Sequence, residues 1–158
     1  MSSNLGYAQG VTTKSADLDE GVQVAQVLFS AYANLAGLLG DALEGEVGIP
    51  LAWYAVLRSL ASAPNGYLKM SQLCHVISMT SGGITRIVDR VEAAGYVQRV
   101  AHPADRRVSR VTITDLGRTL LEKADPVFRR NVDEHLVGRL EPSELRELNR
   151  IICKVSHD

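Results

Sequence analysis

Apolar residues recur at three- and four-residue steps from Val22 through Ala25, Phe29, Tyr32, Ala36 and Leu39 to Leu43, the spacing of one face of a helix. The pattern predicts a first helix from about Leu18 to about Leu43, ~39 Å long at 1.5 Å per residue. Its apolar face exceeds what one small monomer can bury, so the surplus points to a subunit interface. Gly45, Gly48 and Pro50 break the pattern. Trp53, Val56, Leu57 and Leu60 then form one stripe, predicting a second helix over Leu51 to Ser62, followed by an Ala63-Pro64-Asn65-Gly66 turn. A short third helix is predicted from Ser71 to Ile77 with Leu73, Val76 and Ile77 inward. Thr80 is placed to cap a fourth, Ser81 to about Ala94, whose apolar face is Ile84, Ile87, Val88 and Val91. Its other face shows Ser81, Gly82, Thr85, Arg86 and Asp89, and Gly95 ends it.

The period then changes to two. Val97 and Arg99, and later Val111 and Ile113, lie in alternating stretches around His102-Pro103-Ala104-Asp105-Arg106-Arg107, which predicts a β-hairpin with a charged tip. Thr114 caps a helix over Asp115 to about Leu136, which Pro126 is expected to bend. Pro142 opens a last helix carrying Leu145, Leu148, Ile151, Ile152 and Val155, with Glu141 a poor cap before it. The polar segment Met1 to Ala16 is expected to be a loose arm. The fold class expected is therefore mainly α with a small β-hairpin wing. A flexible arm over 1–16 precedes one domain over 17–158. Within it a winged helix-turn-helix occupies about 51–114, and dimerisation helices occupy about 17–45 and 115–158.

Composition narrows this. With 158 residues, 46% hydrophobic and 22% charged, the chain has room for one ordinary domain and does not have the make-up of a disordered one. No unbroken apolar run approaches the ~18–20 residues of a membrane span, so no membrane partner is expected. The N-terminus lacks the basic-then-apolar order of a signal peptide. Two cysteines, Cys74 and Cys153, are too few for a disulfide scaffold, and a cytoplasmic protein with reduced thiols is expected.

The net charge of −1 argues at first against a nucleic-acid partner. Its distribution reverses that. Residues 58–118 hold nine of the 17 bases and four of the 18 acids, a balance of +5, which leaves −6 on the rest. Eight of the nine bases are arginines, whose planar fork suits phosphates and guanine edges. Two short helices, a turn and a basic hairpin fit a duplex. A helix 10–12 Å across enters a major groove about 12 Å wide. Gly82 and Gly83 would let the backbone come close, and the hairpin tip can reach the backbone or an adjacent minor groove.

The run Thr80-Ser81-Gly82-Gly83-Ile84-Thr85-Arg86-Ile87-Val88-Asp89-Arg90 through Gly95-Tyr96-Val97-Gln98-Arg99 resembles the recognition helix of MarR-type winged-helix regulators. His102-Pro103-Ala104-Asp105-Arg106-Arg107, with Val111-Thr112-Ile113-Thr114-Asp115-Leu116-Gly117-Arg118, resembles their wing and the helix after it. The resemblance spans roughly Asp17 to Val155. It implies a homodimer joined by the N- and C-terminal helices, bound to double-stranded DNA at a palindromic operator and acting as a repressor released by a small-molecule effector. Ser81, Gly82, Thr85, Arg86 and Arg90 become candidates for the reading face, with Arg90 alternatively a structural ion pair. Asp89 is expected to orient Arg86 or Arg90. Arg106 and Arg107 are wing-tip candidates and Asp105 a wing brace. Arg99 and Arg110 are either phosphate contacts or exposed strand residues.

The family's effector lies between the dimer helices and the winged part, which makes Tyr32, Trp53 and Tyr54 the aromatic candidates, with Trp53 fitting the core stripe. Urate-responsive relatives carry an acidic residue where Tyr54 stands here, so a urate sensor is disfavoured. No cysteine precedes Cys74, so the peroxide-sensing branch does not carry over. Cys74 reads as packing, and Cys153 could meet its mate in a dimer. The four histidines lack partners at ligand spacing, and no cofactor, metal site, nucleophile–base pair or phosphate loop is expected. The competing reading on the same fold is a protein-interaction or non-specific DNA-binding architectural module.

Overall fold

The computed structural model describes residues 6–102 and 105–156, with side chains described over 18–100 and 110–156. Helix α1 (Gly6–Val47) starts well before the predicted Leu18. No proline interrupts the segment ahead of Leu18, and extending an existing helix costs far less than nucleating one. The chain divides into two units, one up to Gly37 and one from Leu38 onward.

In the first unit the apolar stripe is present but uncovered. Leu18, Val22, Val24, Val27 and Leu28 are exposed, and Phe29 and Tyr32 are each 72% exposed. The segment Leu18–Val47 also has the length and mean hydropathy, 1.4 over its most apolar window, of a helix able to cross a membrane. No unbroken apolar run announces it, because small and polar residues interrupt the segment without lowering its average much.

The second unit opens with the last turns of α1, where Leu39 and Leu43 are buried. Gly45 does not end that helix. The stop is Gly48, at φ 77°, whose N–H reaches the carbonyls of Leu43 and Glu44. Helix α2 (Leu51–Ala61) follows and buries Tyr54, Val56, Leu57 and Leu60. A two-residue strand β1 (Leu68–Lys69) leads into α3 (Met70–Ile77) and then α4 (Ser81–Ala93). Leu57, Leu60, Leu73, Ile84, Val88 and Val91 are all at 0% exposure and form the centre of the core. Each such side chain contributes about 1.5–3 kcal/mol by leaving water.

Strands β2 (Val97–His102) and β3 (Asp105–Ile113) form the hairpin. The sheet order is β1-β3-β2, all antiparallel, with Arg99 opposite Val111 and Leu68 also opposite Val111. Two residues are too few to show an alternating pattern, so β1 leaves no signal in the sequence. Val76 was expected inward but is 58% exposed. Helix α3 has only two turns; Leu73 is its one fully buried residue, and Met70, Cys74 and Ile77, not Val76, pack beside it against the core.

Thr114 fixes the junction behind the hairpin. Its hydroxyl accepts from the Gly117 N–H and donates to the Gly95 carbonyl. A Cβ on Gly117 would stand 2.1 Å from the Tyr96 carbonyl oxygen, so only glycine allows this approach. Helix α5 (Asp115–His135) then runs without a break through Pro126. A 3₁₀ turn (Val137–Arg139) and α6 (Pro142–Ser156) complete the chain. Pro142 is the first residue of α6, as its sequence context predicts, and Glu144 accepts the Glu141 N–H at 2.8 Å. No residue of α6 is buried.

Candidate nucleic-acid interface

The turn between α3 and α4 is built from backbone. Ser78 adopts φ 54°, the Ser78 N–H donates to the His75 carbonyl, and the Met79 N–H donates to that of Cys74. Thr80 then caps α4, its hydroxyl accepting from the Gly83 N–H at 3.2 Å. A Cβ on Gly83 would come within 3.1 Å of that hydroxyl, so glycine keeps the cap intact. Around Gly82 a Cβ would meet nothing within 4 Å. The protein's own packing does not ask for glycine at 82, which leaves a surface that another molecule can approach.

The other candidates fall into two groups. Arg86 and Arg90 are exposed, and neither belongs to an ion pair among the described residues. With Gly82 they sit at four-residue steps and so share one stripe of α4. Ser81 is exposed beside them. The Thr85 hydroxyl donates to the Ser81 carbonyl at 2.7 Å, which leaves its oxygen free to accept.

Arg99 and Arg110 are engaged internally. The Arg99 guanidinium bonds Asp89 at 2.6 Å and also Glu92, and Glu92 accepts the Arg99 backbone N–H at 2.7 Å. Partial burial pulls the Arg99 pKa down, but the bonds and charges of Asp89 and Glu92 outweigh it and hold the guanidinium above its ordinary value. Asp89 therefore orients Arg99, not Arg86 or Arg90. The trio ties α4 to β2 and removes Arg99 from the readily available cations. The Arg110 guanidinium lies 3.9 Å from the centroid of the Tyr67 ring, and its Nε is buried with no partner. The side chains of Asp105, Arg106 and Arg107 lie outside the described residues. Their backbone belongs to the start of β3.

A second constellation was not visible in the sequence. Tyr54 falls off the apolar stripe of α2, yet it is 5% exposed. Its ring stacks on Phe128 at 4.3 Å and its hydroxyl donates to Asp125 at 2.8 Å. Burial, and then the bond and charge of Asp125, push the phenol far above its ordinary range, so Tyr54 keeps its proton. Asp125 also receives Arg58 at 3.2 Å, with Arg129 at 3.9 Å. Behind these contacts lies a cavity of about 350 Å³ lined by Tyr54, Arg58, Phe128, Arg129, Val132, Asp133 and Val137. Trp53 is not among them. It packs edge-on against Tyr96 at 6.0 Å, on the core side. Tyr32 stands in the first unit. The sequence distance of 67–71 residues from Arg58 and Tyr54 to Asp125 explains why no motif announced the set.

Cys74 is half-buried and Cys153 exposed. Among the described residues, no three His, Cys, Asp or Glu side chains are grouped to hold a metal.

A capped helix with an exposed basic stripe, a preceding helix and turn, and a braced hairpin define a winged helix-turn-helix. Residues 47–108 match the sequence model of the MarR family. The HTH-type transcriptional repressor Rv2887 of Mycobacterium tuberculosis is 30% identical over 141 residues, covering 89% of this chain and 99% of that protein. The multiple antibiotic resistance protein MarR of Escherichia coli is 28% identical over 118 residues, covering 75% of this chain and 80% of that protein. Among solved structures, Sco3205 of Streptomyces coelicolor, a MarR family transcriptional regulator in complex with DNA, superposes with a TM-score of 0.81 at 28% identity. The match covers 87% of this chain and 86% of that one. This chain belongs to the MarR family of winged-helix transcriptional regulators.

Proposed function

We propose that the protein is a sequence-specific transcriptional repressor that binds a palindromic operator as a homodimer and releases it when a small effector binds. The observation that carries the reading is a contrast between arginines: among the described residues Arg86 and Arg90 on α4 stand unpaired on one exposed stripe, while Arg99 on β2 is neutralised by Asp89 and Glu92. In this reading α4 lies in the major groove, with Arg86 and Thr85 at base edges and Arg90 at the backbone. Arg106 and Arg107 extend the contact from the wing. The winged part spans about 51–114, and α1 and α6 pair two chains through their uncovered stripes. Tyr54, in the cavity between α2 and α5, marks the effector site. The repressor named among the relatives and the DNA-bound Sco3205 structure support this reading.

Selection of bound sequences from a random duplex pool, followed by titration of the winner against salt, tests it. The expected result is one palindromic site, with affinity falling steeply and linearly in log salt as counterions are released. Recovery of no consensus, with the same salt dependence on every duplex, would favour a non-specific architectural module.

A further inference from the structure

The cavity beside Tyr54 has two arginines at its edge and an aromatic pair against it. Two free guanidinium groups there would invite a carboxylate, the planar anion that their forks match. They are not free. Asp125 accepts the Tyr54 hydroxyl on one oxygen at 2.8 Å and Arg58 on the other at 3.2 Å, and Arg129 approaches that second oxygen at 3.9 Å. The Asp125 side chain is 23% exposed, so solvent screens it less than an open surface charge. Asp133, which also lines the cavity, joins no ion pair among the described residues. Beside the two cations Arg58 and Arg129 the cavity thus has two carboxylates, Asp125 near both and Asp133 in the lining.

An entering carboxylate meets both signs at once. To take Arg58 Nη1 it must displace Asp125, leaving a half-buried carboxylate with the Tyr54 hydroxyl but without that cation, and at the other N–H groups of Arg58 it meets a charge that Asp125 already offsets. An uncharged ring of the same shape leaves the Tyr54–Asp125–Arg58 set intact and still gains from covering the stacked Tyr54–Phe128 pair. From this we infer that Asp125 is a specificity-determining residue: it occupies the arginines from within and selects an uncharged planar ligand over a carboxylate of equal shape. The inference rests on the reading of this cavity as the effector site.

Benzamide and benzoate, nearly equal in shape and different in charge, are the probes. Calorimetric titration of the full chain is expected to favour benzamide by about tenfold, the scale of one charge-assisted bond. In Asp125→Asn the amide still accepts the Tyr54 hydroxyl but releases Arg58. Benzoate is expected to gain about tenfold there, and the double variant with Arg58→Gln to lose that gain. Equal binding of the two probes by the unaltered chain overturns the inference. So does an unchanged ratio in Asp125→Asn, or no binding of either probe by either protein. Should Asp125→Asn not fold, the ratio in the unaltered chain decides alone. Operator release, measured in parallel, tests the effector reading separately. The expected ratio without any release would leave Asp125's role standing and remove the effector role of the cavity.

Discussion

Val88 on α4 and Phe29 on α1 both sit on apolar stripes of helical period, yet Val88 is fully buried and Phe29 is 72% exposed. The winged part covers its own stripes. Val56 and Leu57 from α2, Leu73 from α3 and Val111 from β3 are, like Val88, at 0% exposure. Helix α6 follows α1 instead: Ile151, Ile152 and Val155 are exposed and nothing on it is buried. A periodic apolar stripe reports that a helix needs a cover. It does not report whether the cover comes from the same chain. For the winged part it does, and for α1 and α6 a second copy is the proposed source.

The contrast can be broken at either end. Leu57→Ala empties a fully buried site and is expected to cost about 3 kcal/mol of unfolding free energy, read by urea denaturation. Phe29→Glu is expected to act elsewhere. If α1 pairs two chains, a carboxylate buried there should raise the dimer dissociation constant by about a hundredfold in sedimentation equilibrium. A Phe29→Glu protein that sediments like the unaltered chain would remove α1 from the interface.

A second contrast, between paired and unpaired arginines, is sharpened by two variants of similar chemistry. Arg86→Ala is expected to cost about 1–3 kcal/mol on the selected operator and to relax preference at the base it reads. Arg99→Gln should act differently, because it leaves Asp89 and Glu92 unmatched and unties α4 from β2. It is expected to weaken all duplexes alike, with the ratio of specific to non-specific affinity held in a mobility-shift titration. If Arg99→Gln changed sequence preference as Arg86→Ala does, the brace would be a reader. Thr80→Ala, which removes only the cap of α4, should cost about 1 kcal/mol of stability by thermal melting.

What the sequence disclosed follows the range of the forces involved. Thr80, Thr114, Gly95 and Pro142 act within one turn of chain, and each stands where its local chemistry places it. The stripe Ile84-Val88-Val91 repeats over a whole helix and so was plain. Less local features were hidden. Strand β1 exists because β3 offers it an edge, not because two residues prefer to be extended. Asp89 found Arg99 across ten residues, when arginines on its own helix were nearer in sequence. The Tyr54–Asp125–Arg58 set joins α2 to α5 across most of the winged part, and Tyr54 falls off the apolar period of α2. Pairing of opposite charges is legible only once the fold decides which are neighbours.

That hidden set leaves a small, signed effect. The folded chain holds the Tyr54 phenol above its ordinary value through burial and the bond to Asp125. The native state therefore keeps a proton that the unfolded chain gives up near pH 10. Below that pH both states are protonated and the contribution of Tyr54 to stability is complete and flat. Above it the unfolded state binds fewer protons, so stability falls as pH rises. Phenolate absorbance should show one of the five tyrosines ionising late, only as the protein unfolds. Tyr54→Phe is expected to remove that late component and to flatten the alkaline loss of stability. At neutral pH it should cost about 1 kcal/mol for the lost hydroxyl bond. If the late component survived in Tyr54→Phe, another phenol would be the buried one. The bond that holds Asp125 against α2 would then not persist in solution.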